Sequence, residues 1–261
     1  MTVSLNQGRE GLLCQVVSPA LAIRCAPKDD AALLTEALMG EYVRVLEEKD
    51  GWARLQTDRD GYAGYGLADE LATPAQPVTH WVRVPQTFLY PRPDIKSQPA
   101  QAITLNAQLQ ITDSAGSFGR LSGGRFVFAR HIGLIGEPAS DYVAVAETLL
   151  HAPYLWGGKR PSGLDCSALI QLALHAGGHA CPRDSNMQEL ELGQSRQFDE
   201  SSTPARGDLV FWTGHVAMML DRETLLHASG HHMQVVRERL RQAIERIGRD
   251  AVIIARLAPA A

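Results

Sequence analysis

An internal recurrence in the first half of the chain limits the fold more than any other feature of the sequence. Glu41-Tyr-Val-Arg-Val45 lies against Ala107-Gln-Leu-Gln-Ile111, Asp50-Gly-Trp-Ala-Arg-Leu55 against Gly116-Ser-Phe-Gly-Arg-Leu121, and Ile23-Arg-Cys-Ala-Pro27 against Leu89-Tyr-Pro-Arg-Pro93. These stretches are short, alternate apolar and polar positions and are broken by Gly, Pro and Asp, as strands between tight turns are. In the first copy the spacing predicts strands over 39–48, 52–56 and 61–65, with turns at Lys49-Asp50-Gly51 and Asp58-Arg59-Asp60-Gly61. In the second it predicts strands over 105–112, 118–121 and 125–130. A period of roughly 60 residues fits one small β-barrel per copy, the two joined near Thr73-Pro74-Ala75-Gln76-Pro77.

After Pro138 the pattern changes. Residues 141–151 have helical periodicity, and Cys166 to Ala176 is an apolar segment long enough for a buried helix. From Gly207 onward the pattern is strand-like, at Leu209–Trp212, Val216–Leu220, Leu225-Leu226 and Gln234–Val236. A short helix over 240–247 and a last strand over 251–255 follow. Helices first and an antiparallel sheet after make an α+β domain. The expected division is 12–75, 76–137 and 138–261, in keeping with 261 residues being long for a single core.

Charge and composition remove several classes of function. With 25 basic and 29 acidic residues the net charge is -4, no footprint for a polyphosphate backbone, so nucleic acid is not an expected partner. No run approaches the ~18 apolar residues of a membrane helix. The stretch from Met1 to Glu10 lacks the basic and then apolar pattern of an export signal, and Gly11-Leu12-Leu13-Cys14 only faintly resembles a lipoprotein cleavage site. A cytoplasmic monomer is therefore expected, or a secreted one if an export signal precedes it in the full gene. The four cysteines, Cys14, Cys25, Cys166 and Cys181, are too few and too irregular for a disulfide scaffold or a CxxC zinc site. No metal or other cofactor is expected; His227, His231 and His232 are the only grouping that invites one.

Cys166 opens the apolar helix, where unpaired N–H groups and the helix dipole are expected to lower its pKa. A buried structural cysteine is the plain alternative. Gly214-His215-Val and Leu226-His227-Ala supply two imidazoles, so Cys166, His215 and His227 can provide a nucleophile, a base and a group that orients the base. One obstacle stands in the way. A two-residue turn at Arg222-Glu223 would pair His227 with Met218 and put the histidines on opposite faces of the sheet. A bulge, another turn register, or a His215 lying before the regular strand would remove it, and His231 or His232 remain alternative partners.

The strands ending in Gly51-Trp-Ala-Arg-Leu55 and Gly61-Tyr-Ala-Gly-Tyr65 resemble bacterial SH3-like (SH3b) domains, better in the first copy than in the second. The strings Tyr154-Leu-Trp-Gly-Gly158, Leu164-Asp-Cys-Ser-Ala168, Arg183-Asp-Ser185, Gly207-Asp-Leu-Val-Phe211 and Gly214-His-Val-Ala217 together resemble the NlpC/p60 family of cysteine peptidases. Ala168 departs from the glycine usual there. The resemblance implies two SH3-like barrels followed by a papain-like α+β domain, with Cys166 as nucleophile, His215 as base and His227 as third residue. It also implies cleavage of the bond from the γ-carboxyl of D-Glu to a diamino acid such as meso-diaminopimelate in cell-wall (murein) peptides.

The arrangement of two SH3-like units before the catalytic part is similar to the branch of the family that acts on free murein peptides with an unblocked L-Ala. There the first unit caps the cleft and helps hold the ammonium. The resemblance implies Glu41, Tyr65, Trp156, Asp165, Ser167, Asp184 and Ser185 as substrate-binding residues. A secreted wall hydrolase, a non-catalytic peptide-binding module and an acyltransferase or amidase using the same Cys-His pair remain open beside it.

Overall fold

The computed structural model describes residues 10–193, 195–197, 203–248 and 251–254. The first unit consists of β1 (Leu12–Val16), β2 (Ala20–Arg24), β3 (Leu33–Leu38), β4 (Tyr42–Lys49), β5 (Trp52–Thr57), β6 (Ala63–Leu67) and β7 (Leu71–Ala72). They form one antiparallel sheet in the order β3-β2-β6-β5-β4-β1-β7. The β4–β5 turn comprises Asp50 and Gly51, with φ 51° and 80°. Positive φ at both central residues matches the twist of the flanking strands, which is why Asp-Gly sits there. Alternation along the strands delivers Cys14, Val16, Leu21, Ile23, Val43 and Leu55 to one core. Among the described residues no ladder joins β3 to β7, so the sheet of the expected SH3-like barrel is not closed by hydrogen bonds.

The second unit has β8 (His80–Val82), β9 (Gln86–Leu89), β10 (Gln101–Thr104), β11 (Gln108–Leu109), β12 (Ile111–Ala115), β13 (Phe118–Leu121), β14 (Phe126–Phe128) and β15 (Ile132–Leu134). These split into three small sheets, β10-β9, β11-β8-β15 and β12-β13-β14, again without a closed barrel. Val82, Leu89, Ile103, Leu109, Val127 and Ile132 nevertheless share a core with Met39 of the first unit. The expected continuous strand over 105–112 is broken. Asn106 takes φ 68° and donates its side-chain amide to the Leu172 carbonyl at 2.8 Å, while the Gln108 N–H bonds the Met39 carbonyl at 2.7 Å. Contacts to the other units therefore replace the straight ladder here.

The third unit contains α1 (Tyr142–Glu147), β16 (Lys159–Arg160), β17 (Gly163–Leu164), α2 (Cys166–Ala176), α3 (Ser185–Glu191), β18 (Ser195–Gln197), β19 (Leu209–Trp212), β20 (His215–Met219), β21 (Thr224–Ser229), β22 (Gln234–Arg239), α4 (Leu240–Ile247) and β23 (Val252–Ile254). Its sheet runs β18-β23-β19-β20-β21-β22. Strand alternation gives the sheet two dry faces. Leu209, Phe211, Val216, Met218 and Leu226 pack with α1 and α2, and Val210, Trp212, Ala217, Met219 and Leu225 pack with α4. Every residue of α2 is buried, as its largely apolar sequence requires, with Ser167, Gln171 and His175 as the polar members. Among the described residues no helix is long and apolar enough to cross a membrane.

The first unit docks on the third through buried polar groups. Lys159 Nζ lies 3.5 Å from Glu41 Oε1, Arg160 lies 2.6 Å from Glu36 Oε1, and the Lys159 N–H donates to Glu36 Oε2 at 2.8 Å. Gln171 donates to Asp60 at 2.8 Å, and Arg59 contacts His175 Nδ1 at 3.2 Å. Gly157 takes φ 77°, and a Cβ there would sit 2.5 Å from the Leu33 carbonyl oxygen. A glycine is thus required both by the backbone conformation and by the close approach of the first unit.

Candidate active site

Asp165 caps α2, accepting the Ala168 N–H at 2.9 Å, and also accepts the Gly157 N–H at 2.9 Å. Its two oxygens are held by Arg183 in a fork, at 2.9 and 2.7 Å, and Arg183 also donates to Ser167 Oγ at 2.7 Å. The third donor of Arg183, Nε, reaches Thr35 Oγ1 of the first unit at 2.8 Å. Buried charges persist when they are paired and fully hydrogen-bonded, and this cluster meets both conditions. Its product is a rigid start to α2.

Cys166 is the first residue of that helix, and its thiol faces the N–H groups of Ser167 and Val216. Both stabilise a thiolate, but burial and then the Asp165 carboxylate outweigh them, pushing the thiol up to about 11. The expected lowering by the helix terminus is therefore reversed, because the sulfur is dry and its nearest charge is negative. Among the described residues no hydrogen bond joins the thiol to His215. It turns instead to the neighbouring Val216 N–H, as α2 packs across β20.

The histidines lie together. His215 Nε2 is 2.8 Å from His227 Nδ1, with ring centroids 5.1 Å apart. The two-residue turn is not what forms. Met218 pairs with Leu226 and Met219 with Leu225, so the connection has an odd number of residues, and Asp221 accepts the N–H groups of Glu223 and Thr224 at 2.8 and 2.7 Å. That register puts His227 opposite Ala217 and on the face of His215, which is the different turn register the sequence left open. Burial holds His215 down to about 4 and His227 to about 3. His227 Nε2 lies 3.1 Å from Glu238 Oε2, and Arg246 grips that carboxylate with two donors.

Tyr154 was not singled out by sequence reasoning, although it opens one of the quoted strings. Burial, then the nearby Cys166 and Asp165, push its phenol up to about 12, so it stays protonated beside the sulfur and can donate. Arg183 was likewise quoted without a role. The signal for both was present in the strings, but their placement depends on contacts across the fold.

The other expected binding residues divide. Asp165 and Ser167 are buried and engaged with Arg183. Asp184 precedes α3 without using its side chain as a cap, and Ser185 is the first residue of that helix. Trp156 is 69% exposed, so packing does not account for it. Glu41 is buried, accepting the Leu38 N–H at 3.0 Å and meeting Arg59 and Lys159 at 3.5 Å, so its charge is consumed within the docking contact. Tyr65 pairs with Arg24 and Arg54 inside the sheet. It is Tyr62, three residues earlier, whose hydroxyl reaches Asp184, at 3.3 and 3.4 Å. His227, His232 and Glu238 bring donor atoms within 4.8 Å of one another, but Arg246 already occupies the carboxylate and its charge opposes a cation.

Comparison with known proteins bears on the family and the fold. Residues 151–246 match the model of the NlpC/P60 family, and residues 23–71 match that of the bacterial dipeptidyl-peptidase SH3 domain. The chain is 26% identical over 238 residues to Dipeptidyl-peptidase 6 of Lysinibacillus sphaericus, covering 82% of this chain and 86% of that one. It is also 26% identical over 221 residues to the Gamma-D-glutamyl-L-lysine dipeptidyl-peptidase of Bacillus subtilis, covering 76% and 73%. The crystal structure of an NlpC/P60 family protein from Bacillus cereus superposes with a TM-score of 0.79 at 19% identity, over 95% of this chain and 100% of the other, a likeness of fold.

Proposed function

We propose, for a chain whose residues 151–246 belong to the NlpC/P60 family of cysteine peptidases behind a bacterial SH3 domain, that it hydrolyses peptides derived from peptidoglycan. The bond we assign is that between the γ-carboxyl of D-Glu and a diamino acid, with meso-diaminopimelate or lysine in the second place. The observation that carries the reading is the His215–His227 contact, at 2.8 Å, on the two strands that pack against the helix starting at Cys166. The name of the Bacillus subtilis relative supports the γ-D-glutamyl bond.

In this reading Cys166 attacks the γ-glutamyl carbonyl and its proton passes to His215. The tetrahedral oxyanion is held by the Cys166 N–H, which has no intrahelical acceptor at the first helical position, and by the Tyr154 hydroxyl. His215 then protonates the departing amine, leaving a thioester, and water activated by His215 returns the thiol. At the rim, Asp184 with the Tyr62 hydroxyl offers an anionic, half-buried site for the ammonium of a free L-Ala, with Trp156 beside the cleft. Glu41 and Tyr65 are replaced in that role by Tyr62. The divisions 12–75, 76–137 and 138–261, a diverged SH3-like origin for the second unit, a papain-like catalytic part and a cytoplasmic monomer that recycles murein peptides belong to the same proposal.

The test is a mass-spectrometric cleavage assay of L-Ala-γ-D-Glu-meso-diaminopimelate against its N-acetylated form, with Cys166→Ala as the blank. Cleavage of the free peptide alone is expected. Equal cleavage of both removes the amine pocket and favours a wall hydrolase; full turnover by Cys166→Ala removes the mechanism.

A further inference from the structure

We infer that Glu238, clamped by Arg246, is a positioning residue that fixes the ring tautomer of His227 and so decides which nitrogen of His215 is free to take a proton. The inference rests on the proposed roles of Cys166 and His215, and it follows from counting protons along one line of contacts. Only one proton fits between His215 Nε2 and His227 Nδ1, 2.8 Å apart. If His215 is to accept the thiol proton on its other nitrogen, Nδ1, its resting proton must be on Nε2, donated to a bare His227 Nδ1. A neutral His227 then carries its own proton on Nε2.

That nitrogen has no solvent. His227 is 0% exposed, and Glu238 Oε2 lies 3.1 Å from its Nε2. The carboxylate lies off the ideal hydrogen-bond line, so charge more than geometry carries the preference. The other tautomer would set a bare ring nitrogen against a carboxylate oxygen in a dry site, lone pair against lone pair, and would leave His215 with its proton on the wrong side. Arg246, near the end of α4, holds the carboxylate through Nε at 3.2 Å and through a second donor on Oε2, so it is not free to rotate away.

The balance closes without a further group. The S–H bond of Cys166 breaks, an N–H bond forms at His215 Nδ1, the proton between the rings stays in place, and the positive charge on His215 faces a line that ends in a carboxylate. The charged and titratable groups around the pair are Glu238 from β22, Arg246 from α4 and His232 from the β21–β22 loop. Glu238 favours protonation of His215 and Arg246 disfavours it.

These opposite signs supply the test. Histidine-labelled enzyme, examined by 15N NMR, is expected to show His227 protonated on Nε2, and in Glu238→Gln a mixture with the Nδ1 form. In that variant kcat is expected to fall at least about tenfold with KM little changed. The acid limb of kcat/KM is expected to move to lower pH in Glu238→Gln and to higher pH in Arg246→Gln. A purely structural role would lower Tm in both and move neither limb. The inference is overturned if the wild-type ring carries its proton on Nδ1, if the Glu238→Gln tautomer is unchanged, or if the limbs do not part in opposite directions. The NMR readout does not depend on turnover, so failure of the catalytic reading, shown by an active Cys166→Ala, is separate from failure here.

Discussion

Burial sets the resting state of the proposed catalytic pair, Cys166 and His215. With the Cys166 thiol up to about 11 and His215 down to about 4, both are neutral across the ordinary pH range, in contrast to the ion pair of many thiol enzymes. His215 can act as a base only when unprotonated, so activity is lost as pH falls through its folded value. The acid limb of kcat/KM is therefore expected near pH 4, well below the usual range of an imidazole. A pH–rate profile with a limb near 6.5 would contradict it. Iodoacetamide modification of Cys166, followed by peptide mapping, should still be accelerating above pH 9, because the thiolate is scarce until substrate arrives. Tyr154→Phe is expected to lower kcat by about 100-fold with KM nearly constant, the signature of a lost oxyanion donor. Steady-state kinetics on the free tripeptide reads this directly. The position of Cys166 at a helix start was legible because the apolar run begins there. The pKa of its thiol was not, because desolvation and the neighbouring Asp165 are products of the finished fold.

Among the elements, the β20–β21 hairpin shows where a sequence pattern stops short. Helix α2 was legible to its ends, since its apolar run coincides with Cys166–Ala176. Helix α3 was missed, since its one fully buried residue is a glutamine, Gln188, and no apolar stripe announces it. The hairpin strands were legible, but their register turned on a side chain. Asp221 binds two backbone N–H groups ahead of it and makes the connection one residue longer than Arg222-Glu223 alone suggested. That residue changes the face on which His227 lies. Asp221→Ala should therefore reduce kcat several-fold and lower Tm modestly, while Asp221→Asn, which keeps the accepting oxygen, should retain most of both. Equal losses in the two variants would mean that the negative charge, not the turn, matters at this position.

For the molecule as a whole, the first unit reaches the cluster that caps α2 through a hydroxyl. The existence of β-rich units ahead of a mixed domain was readable from periodicity, but their docking was not. Thr35 and Arg183 lie 148 positions apart, and nothing local in either stretch predicts the bond between them. Thr35 Oγ1 accepts from Arg183 Nε, Arg183 grips both oxygens of Asp165, and Asp165 caps the helix that presents Cys166. With its side chain 1% exposed, Arg183 has no water to replace a lost acceptor. Thr35→Val keeps the shape of the residue and removes only that acceptor, leaving a charged N–H unpaired in the interior. The cost expected is about 1–3 kcal/mol, seen as a lower Tm. Because the loosened guanidinium also holds Asp165, kcat should fall along with stability. Thr35→Ser restores the hydroxyl without the methyl group and should recover both. If Thr35→Val lowers Tm while kcat stays at the wild-type value, the docking contact supports folding alone. A fall in kcat measured well below the unfolding transition would instead make the first unit part of the machinery that aims the thiol, and would explain why Gly157, pressed against Leu33, has no room for a side chain.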